Sequence, residues 1–92
     1  PYDGVVCGED LTAVGVLYAL LARGLRVPEE IAVSGCNNSE YAYVCNPRLT
    51  TINNKGEELS RLTVEVLIEL LTEGTVRKER KIKPELIVQD TA

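Results

Sequence analysis

Two polar residues are the strongest candidates for ligand binding. Glu9 and Asn37 each lie just after a short apolar segment that is predicted to be a strand. An ionised carboxylate only accepts hydrogen bonds, whereas an amide both donates and accepts them. Together the two side chains suit a small ligand that is rich in hydroxyl groups. Asn37 could instead stabilise a turn, and the neighbouring Asp10 is predicted to cap a helix.

The chain lacks the groups that most enzymes use. It contains no histidine, which excludes Ser-His-Asp and Cys-His nucleophile pairs within it and removes the commonest metal ligand. Cys7, Cys36 and Cys45 are an odd number without Cys-x-x-Cys spacing, which argues against a disulfide framework and a zinc site. No glycine-rich phosphate loop is present. We therefore predict no catalytic residue, metal or cofactor, although a small α/β enzyme is an alternative.

A β-α-β unit is predicted to position the two candidate residues. An apolar strand from Asp3 to Cys7 is followed by a helix from Leu11 to Arg23, which Gly24 ends. A second strand then runs from Ile31 to Ser34. Strands connected through a helix in this way are parallel. Open α/β sheets bind ligands at the carboxyl ends of their strands, which is where Glu9 and Asn37 lie.

The remaining elements follow from the same patterns. They are a helical turn within Ser39–Tyr43, a β-branched strand over Leu49–Asn53, a helix over Lys55–Glu73 that Asn53 or Asn54 caps, and a strand over Leu86–Val88. The fold class is therefore α/β.

Charge and hydropathy limit the partners. The net charge of −4 disfavours contact with phosphate backbones. The basic run from Arg77 to Lys83 could contact nucleic acid, but a solvated strand edge explains it better. Neither a membrane span nor a signal peptide is visible, and the unpaired cysteines suit a reducing cytoplasm.

Three motifs resemble one family of proteins. They are Gly24-Leu25-Arg26-Val27-Pro28-Glu29-Glu30-Ile31, Gly35-Cys36-Asn37-Asn38 and Pro47-Arg48-Leu49-Thr50-Thr51-Ile52. Their order and content resemble the C-terminal part of the effector-binding domain of LacI/GalR transcription regulators. The resemblance implies a parallel-sheet αβα sandwich of the periplasmic-binding-protein-like type I fold, of which this chain is a fragment.

The same resemblance implies a domain organisation. Residues 1–92 correspond to the C-terminal portion of a LacI-type effector-binding domain. Residues 1–53 belong mainly to one lobe, residues 54–76 form a helix that packs on the other lobe, and residues 77–92 form a terminal strand segment. The DNA-binding headpiece would lie in another part of the protein, so operator DNA is a partner only through that headpiece.

The resemblance also implies a function. Glu9 and Asn37 would contact a sugar-like effector that controls a repressor. A sugar-binding transport protein is the alternative, but it requires export, which unpaired cysteines fit poorly. Two subunits of such a repressor pair as a homodimer. The residues assigned to the dimer interface are Val14, Leu17, Tyr18, Val44 and Cys45.

Overall fold

The computed structural model describes residues 3–76 and 78–92. Helices and strands alternate along the chain, as an α/β fold requires. The elements are β1 (Gly4–Val6), α1 (Asp10–Ala22), β2 (Ala32–Ser34), α2 (Tyr41–Val44), β3 (Thr51–Asn53), α3 (Gly56–Glu73) and β4 (Glu85–Ile87). Every element predicted from the sequence is present, with bounds that shift by a residue or two.

The β-α-β unit is confirmed. β1 and β2 pair in parallel with Val5 opposite Val33, and α1 connects them. The backbone N–H of Cys7 continues the pairing by donating to the Ser34 carbonyl (2.9 Å). Ser34 also forms a parallel bridge with Thr50, just before β3. Three successive strand ends are thereby brought to one edge.

The core lies between α1, the β1–β2 sheet and α2. Ala13 and Leu17 of α1 are completely buried, as are Val33 of β2 and Leu49. Two of the residues assigned to a dimer interface also lie in this core, since Leu17 is 0% exposed and Cys45 6% exposed within this chain. An apolar stripe shows that a helix face is covered, but its spacing does not show which neighbour covers it.

Gly35 allows β2 to approach α1 closely. A Cβ atom at this position would collide with Oδ1 of Asp10 and lie 2.9 Å from Cδ2 of Leu49. Cβ atoms do not come this close to non-bonded neighbours, so any larger residue would force the end of β2 or the neighbouring side chains to shift. The glycine thus fixes how near the end of β2 lies to the first turn of the helix.

The second sheet is antiparallel. β3 pairs with β4 with Ile52 opposite Leu86, so among the described residues the parallel pairing consists of β1–β2 and the Ser34–Thr50 bridge. After β4 the chain returns to the core through Thr91, which is completely buried. The Thr91 hydroxyl donates to the Val33 carbonyl (2.7 Å) and accepts from the Thr50 N–H (2.9 Å). Residues 88–92 are therefore fixed against the first part of the chain.

α3 and the segment after it form a separate projection. No residue of α3 with a described side chain is buried, and Leu67, Ile68 and Leu71 are exposed although they are apolar. The molecule measures 58 × 26 × 17 Å, which is elongated for a chain of this length. We call residues 3–53 and 88–92 the lobe, and residues 56–76 and 78–84 the arm.

Local contacts set the ends of α3. Lys55 occupies the N-cap position in a left-handed conformation, so neither Asn53 nor Asn54 is the cap that the sequence suggested. Asn53 instead accepts a hydrogen bond from the Lys55 N–H (2.9 Å). Gly74 ends the helix at a positive φ, as predicted. Because Arg80 is paired with Glu69 (2.6 Å), it does not belong to a free basic patch, and Arg77 lies outside the described residues.

Candidate functional site

Three polar side chains meet where successive strands end. Glu9 follows β1, Asn37 follows β2 and Asn54 follows β3. The Nδ2 atom of Asn37 donates to Oε1 of Glu9 (2.9 Å), and Nδ2 of Asn54 donates to Oδ1 of Asn37 (3.0 Å). We call Glu9, Asn37 and Asn54 the polar triad. The structure thus brings together both residues that the sequence proposed for ligand binding.

Asn54 is the member of the triad that the sequence analysis missed. An asparagine before a helix was interpreted as a cap, which is the common role of that residue type. The available signal was its position, since it comes directly after the third predicted strand, just as Glu9 and Asn37 follow the first and second. A polar residue at every strand end is a stronger indication of a site than any of the three alone.

The backbone around Asn37 is held in an uncommon conformation. Asn37 and Asn38 have φ values of 95° and 49°, a region that non-glycine residues seldom adopt and asparagine tolerates best. The Asn37 N–H donates to the Ile52 carbonyl (2.8 Å), and the Asn38 N–H donates to the Thr51 hydroxyl (3.1 Å). Backbone of this kind persists where its surroundings determine it, often at functional sites.

Asp10 holds together the segments that carry the triad. It was predicted as an N-cap, but it is the first residue of α1, and Glu9 occupies the cap position without a side-chain cap bond. The Asp10 side chain is buried and accepts hydrogen bonds from the Ser39 N–H and hydroxyl (2.7 Å each) and from the Thr51 hydroxyl (2.6 Å). Hydrogen bonds to a charged acceptor are strong. Asp10 therefore ties the loop after β2 and the start of β3 to α1.

One thiol borders the triad. The Sγ atom of Cys36 lies 3.2 Å from Nδ2 of Asn54 and is partly exposed. Cys7 and Cys45 are buried, and all three cysteines are free. Cys36 is consequently the most accessible of the three cysteines.

The polar atoms of the triad have the chemistry to form hydrogen bonds with a small polar molecule. Glu9 and Asn37 are exposed and Asn54 is half-buried, so their polar atoms can reach a molecule in the adjacent space. Carboxylate and amide oxygens accept from hydroxyl groups, and the second N–H of Asn37 can donate to one. The described residues contain no cluster of His, Cys, Asp and Glu suited to a metal ion.

The residues predicted for a dimer interface divide into two groups. Leu17 and Cys45 lie in the core, as described above, whereas Val14 is half-buried and Tyr18 and Val44 are exposed. The Tyr18 hydroxyl accepts from the Asn46 N–H (3.3 Å), which holds α1 beside the segment after α2. The exposed residues thus lie beside the contact between α1 and the segment after α2.

The fold is that of the periplasmic-binding-protein type. A model of the periplasmic binding protein-like domain family matches residues 1–92. The chain is 39% identical to the ribose operon repressor of Escherichia coli over 91 residues, covering 98% of this chain and 28% of that protein. It is 36% identical to an HTH-type transcriptional regulator of Lachnoclostridium phytofermentans, covering 98% and 27% of the two chains.

Solved structures agree with these relatives. A complex of the transcriptional regulator CelR with cellobiose superposes with a TM-score of 0.86 at 31% identity, covering 98% of this chain and 28% of that one. A periplasmic binding protein/LacI transcriptional regulator from Alkaliphilus metalliredigens, complexed with D-xylulofuranose, gives a TM-score of 0.82 at 33% identity, covering 98% and 34%.

The chain belongs to the periplasmic binding protein-like domain family, and along nearly its whole length it is similar to LacI-type regulators, as the sequence motifs predicted. It spans between a quarter and a third of the length of the curated relatives described here. Within the described part of the chain, no helix combines the length and apolar character needed to cross a membrane.

Proposed function

We propose that this chain is the C-terminal part of the effector-binding domain of a LacI-type transcriptional repressor. In this proposal the polar triad contacts a small, hydroxyl-rich effector, such as a sugar or a related metabolite. The observation that carries the proposal is the pair of hydrogen bonds that joins Glu9, Asn37 and Asn54 at three strand ends. This is the edge at which open α/β sheets bind their ligands.

The relatives support a sugar-like effector and a regulator. Two of the similar structures hold cellobiose and D-xylulofuranose, and a third, a LacI family regulator from Arthrobacter, holds lactose. The curated relatives are named as repressors or transcriptional regulators, which favours this function over the transport alternative. A repressor acts in the cytoplasm, where DNA is found and free thiols stay reduced.

The exposed arm suggests how the rest of the effector domain completes the site. α3 has apolar residues on its surface, which in a folded regulator would be covered by a second lobe. The triad would then form one wall of a cleft between two lobes. DNA binding would belong to a separate headpiece, because this chain carries a net charge of −4.

Ligand titration of the full-length regulator tests the proposal. We expect ribose, glucose, galactose, cellobiose or lactose to give a saturable signal in isothermal titration calorimetry. Glu9→Ala and Asn37→Ala should each weaken binding by about 2-fold to 100-fold, because each removes a hydrogen bond to the ligand. Glu29→Ala, at the opposite end of β2, is the matched control. Unchanged affinity in both site variants would remove the triad from the binding site.

Cys36 provides an independent readout of the same site. Its thiol lies beside Asn54, while the other two cysteines are buried. In the folded regulator iodoacetamide should modify Cys36 first, and a saturating effector should slow that reaction. Peptide mass spectrometry after timed alkylation measures this effect. Equal alkylation rates with and without an effector that binds would place the ligand away from the triad.

We also propose that the regulator is a homodimer that pairs through α1 and the loop around α2. Val14, Tyr18 and Val44 are the accessible residues of that surface. A two-fold axis would set the same patch against itself. Val44 is 78% exposed, so Val44→Asp should leave the subunit folded but bury an unpaired charge in the pair. Analytical ultracentrifugation should show this variant as a monomer, whereas a monomeric wild type would contradict the proposal.

A further inference from the structure

Glu9 carries a charge that no cation in the described chain balances. Its Oε1 atom accepts a hydrogen bond from the neutral amide of Asn37, and Oε2 has no partner among the described residues. The ion pairs that the structure shows lie elsewhere, at Arg26–Glu30, Arg61–Glu65 and Arg80–Glu69. A ligand at the triad therefore meets an ionised carboxylate with one free oxygen.

A second carboxylate adds negative charge next to Glu9. Asp10 follows Glu9 and is buried, but its three hydrogen-bond donors are the N–H and hydroxyl of Ser39 and the hydroxyl of Thr51, all neutral. The N-terminus of α1 contributes only about half of one positive charge. Lys55 follows Asn54 in the chain but forms no ion pair with either carboxylate, so among the described residues two negative charges face only that partial charge around Glu9.

We infer that Glu9 determines the charge selectivity of the site, which accepts an uncharged polyhydroxyl ligand and rejects a carboxylate or phosphate. This inference rests on the proposed function and narrows its ligand class. Ligand hydroxyls can donate to Oε2 of Glu9, and one amide N–H of Asn37 can donate to a hydroxyl oxygen in return. An anionic group cannot donate to Oε2, and its charge is repelled at the same place.

The expected discrimination is moderate because Glu9 is exposed. Like charges about 6 Å apart, at an effective dielectric constant between that of a protein surface and that of water, lower affinity roughly 5-fold to 100-fold. The repulsion should be salt-dependent, since charges with access to solvent are screened. A purely steric preference would not change with salt.

Matched ligand pairs test the inference on the full-length regulator. The pairs are glucose with glucuronate, galactose with galacturonate, and ribose with ribose 5-phosphate, titrated by calorimetry at low and high salt. In the wild type the neutral sugar should bind at least about 5-fold tighter than its anionic partner. Glu9→Gln keeps the shape and an acceptor oxygen for Asn37 but removes the charge, so that ratio should fall towards one. Glu29→Gln removes a charge from the other end of β2 and should leave the ratio unchanged.

The possible outcomes separate this inference from the proposed function. Anionic partners that bind the wild type as tightly as the neutral sugars would overturn the charge selectivity while leaving a sugar-binding regulator. A ratio that Glu9→Gln does not alter would do the same, because the discrimination would then come from other residues. A complete absence of binding by all six ligands would reject the proposed function, and this inference with it.

Discussion

The lobe and the arm each contain a helix with many apolar residues, but only the helix of the lobe buries any of them. α1 has 13 residues and buries Ala13 and Leu17 completely against the lobe. α3 has 18 residues and is the longest element, yet none of its described side chains is buried. The difference shows that burial here follows from topology and not from helix length. α1 is enclosed because the chain returns beside it in β2. Over α3 the described chain returns only through the segment around Arg80 and Ile82, which leaves none of the helix's described side chains buried.

The two regions also differ in how their polar groups are satisfied. In the lobe, Asp10, Thr51 and Thr91 are buried with hydrogen bonds to other parts of the chain. In the arm, the polar contacts are mostly local and exposed, as between Arg61 and Glu65 (2.8 Å). Exposed pairs of this type contribute little to stability. We therefore expect the contacts within this chain to stabilise the lobe, whereas the arm needs contacts with another part of the protein.

Removing the Asp10 carboxylate should give the largest loss of stability. Asp10→Ala leaves the Ser39 and Thr51 donors without their buried acceptor, at a cost of about 4 kcal/mol or more in the free energy of unfolding. Urea denaturation followed by circular dichroism measures the loss. Asp3→Ala is the matched control, since Asp3 is exposed and should change stability by less than about 0.5 kcal/mol. Equal effects of the two substitutions would show that the lobe does not depend on its buried bonds.

Truncating one leucine in each region measures the contrast directly. In the 92-residue chain, Leu17→Ala should cost about 2 to 5 kcal/mol because it opens a cavity in the core. Leu71→Ala should cost less than about 0.5 kcal/mol there, since Leu71 is 76% exposed. In the full-length regulator the cost of Leu71→Ala should rise if a second lobe covers α3. Similar costs for both variants in the 92-residue chain would contradict the distinction between lobe and arm.

The smallest expected effect concerns the turn before β2 and depends on pH. The Arg26 N–H donates to Glu30 (2.7 Å), and this bond, with the nearby Arg26 charge, lowers the pKa of Glu30 below its ordinary value of 4.5. A lowered pKa stabilises the fold above the unfolded-state value, and that contribution is lost as the pH falls through the folded-state value. Glu30→Gln should lower the Tm slightly at neutral pH and by less at about pH 3.

A matched variant distinguishes this contact from a general charge effect. Glu29→Gln removes the adjacent carboxylate but leaves the contact between Arg26 and Glu30 intact. Its Tm relative to the wild type should not follow the same pH dependence. Differential scanning calorimetry of the three proteins at both pH values gives the comparison. A Tm difference for Glu30→Gln that is constant with pH would contradict the role of its charge.

Local sequence patterns predicted the elements of this fold well. The strands around Val5 and Val33 are continuous apolar runs between turn residues, and Gly74 is a typical helix end. These signals depend only on neighbours in the chain, so they do not require knowledge of the tertiary contacts. The position of Glu9 and Asn37 at one edge also followed from the parallel β-α-β unit.

Most of the features that the sequence did not predict depend on distant neighbours. Asp10 resembles a cap until Ser39 and Thr51 are seen to surround it. Leu17 belongs to a stripe that a partner or a core could cover equally well, and the core covers it. The antiparallel direction of β4 is not visible in Leu86 and its neighbours, because pairing direction is set by the path of the intervening chain.

The antiparallel β3–β4 pair has a mechanical consequence. The chain leaves the lobe through β3 and comes back through β4. The two strands pair along their whole length, from Thr51 opposite Ile87 to Asn53 opposite Glu85. A single connecting strand could swivel, but a paired ribbon resists twisting and bends mainly across its flat face. Asn54 sits where β3 ends, whereas Glu9 and Asn37 are anchored in the lobe. Bending of that ribbon would change the spacing between Asn54 and the other two residues, so the angle of the arm and the geometry of the triad are linked.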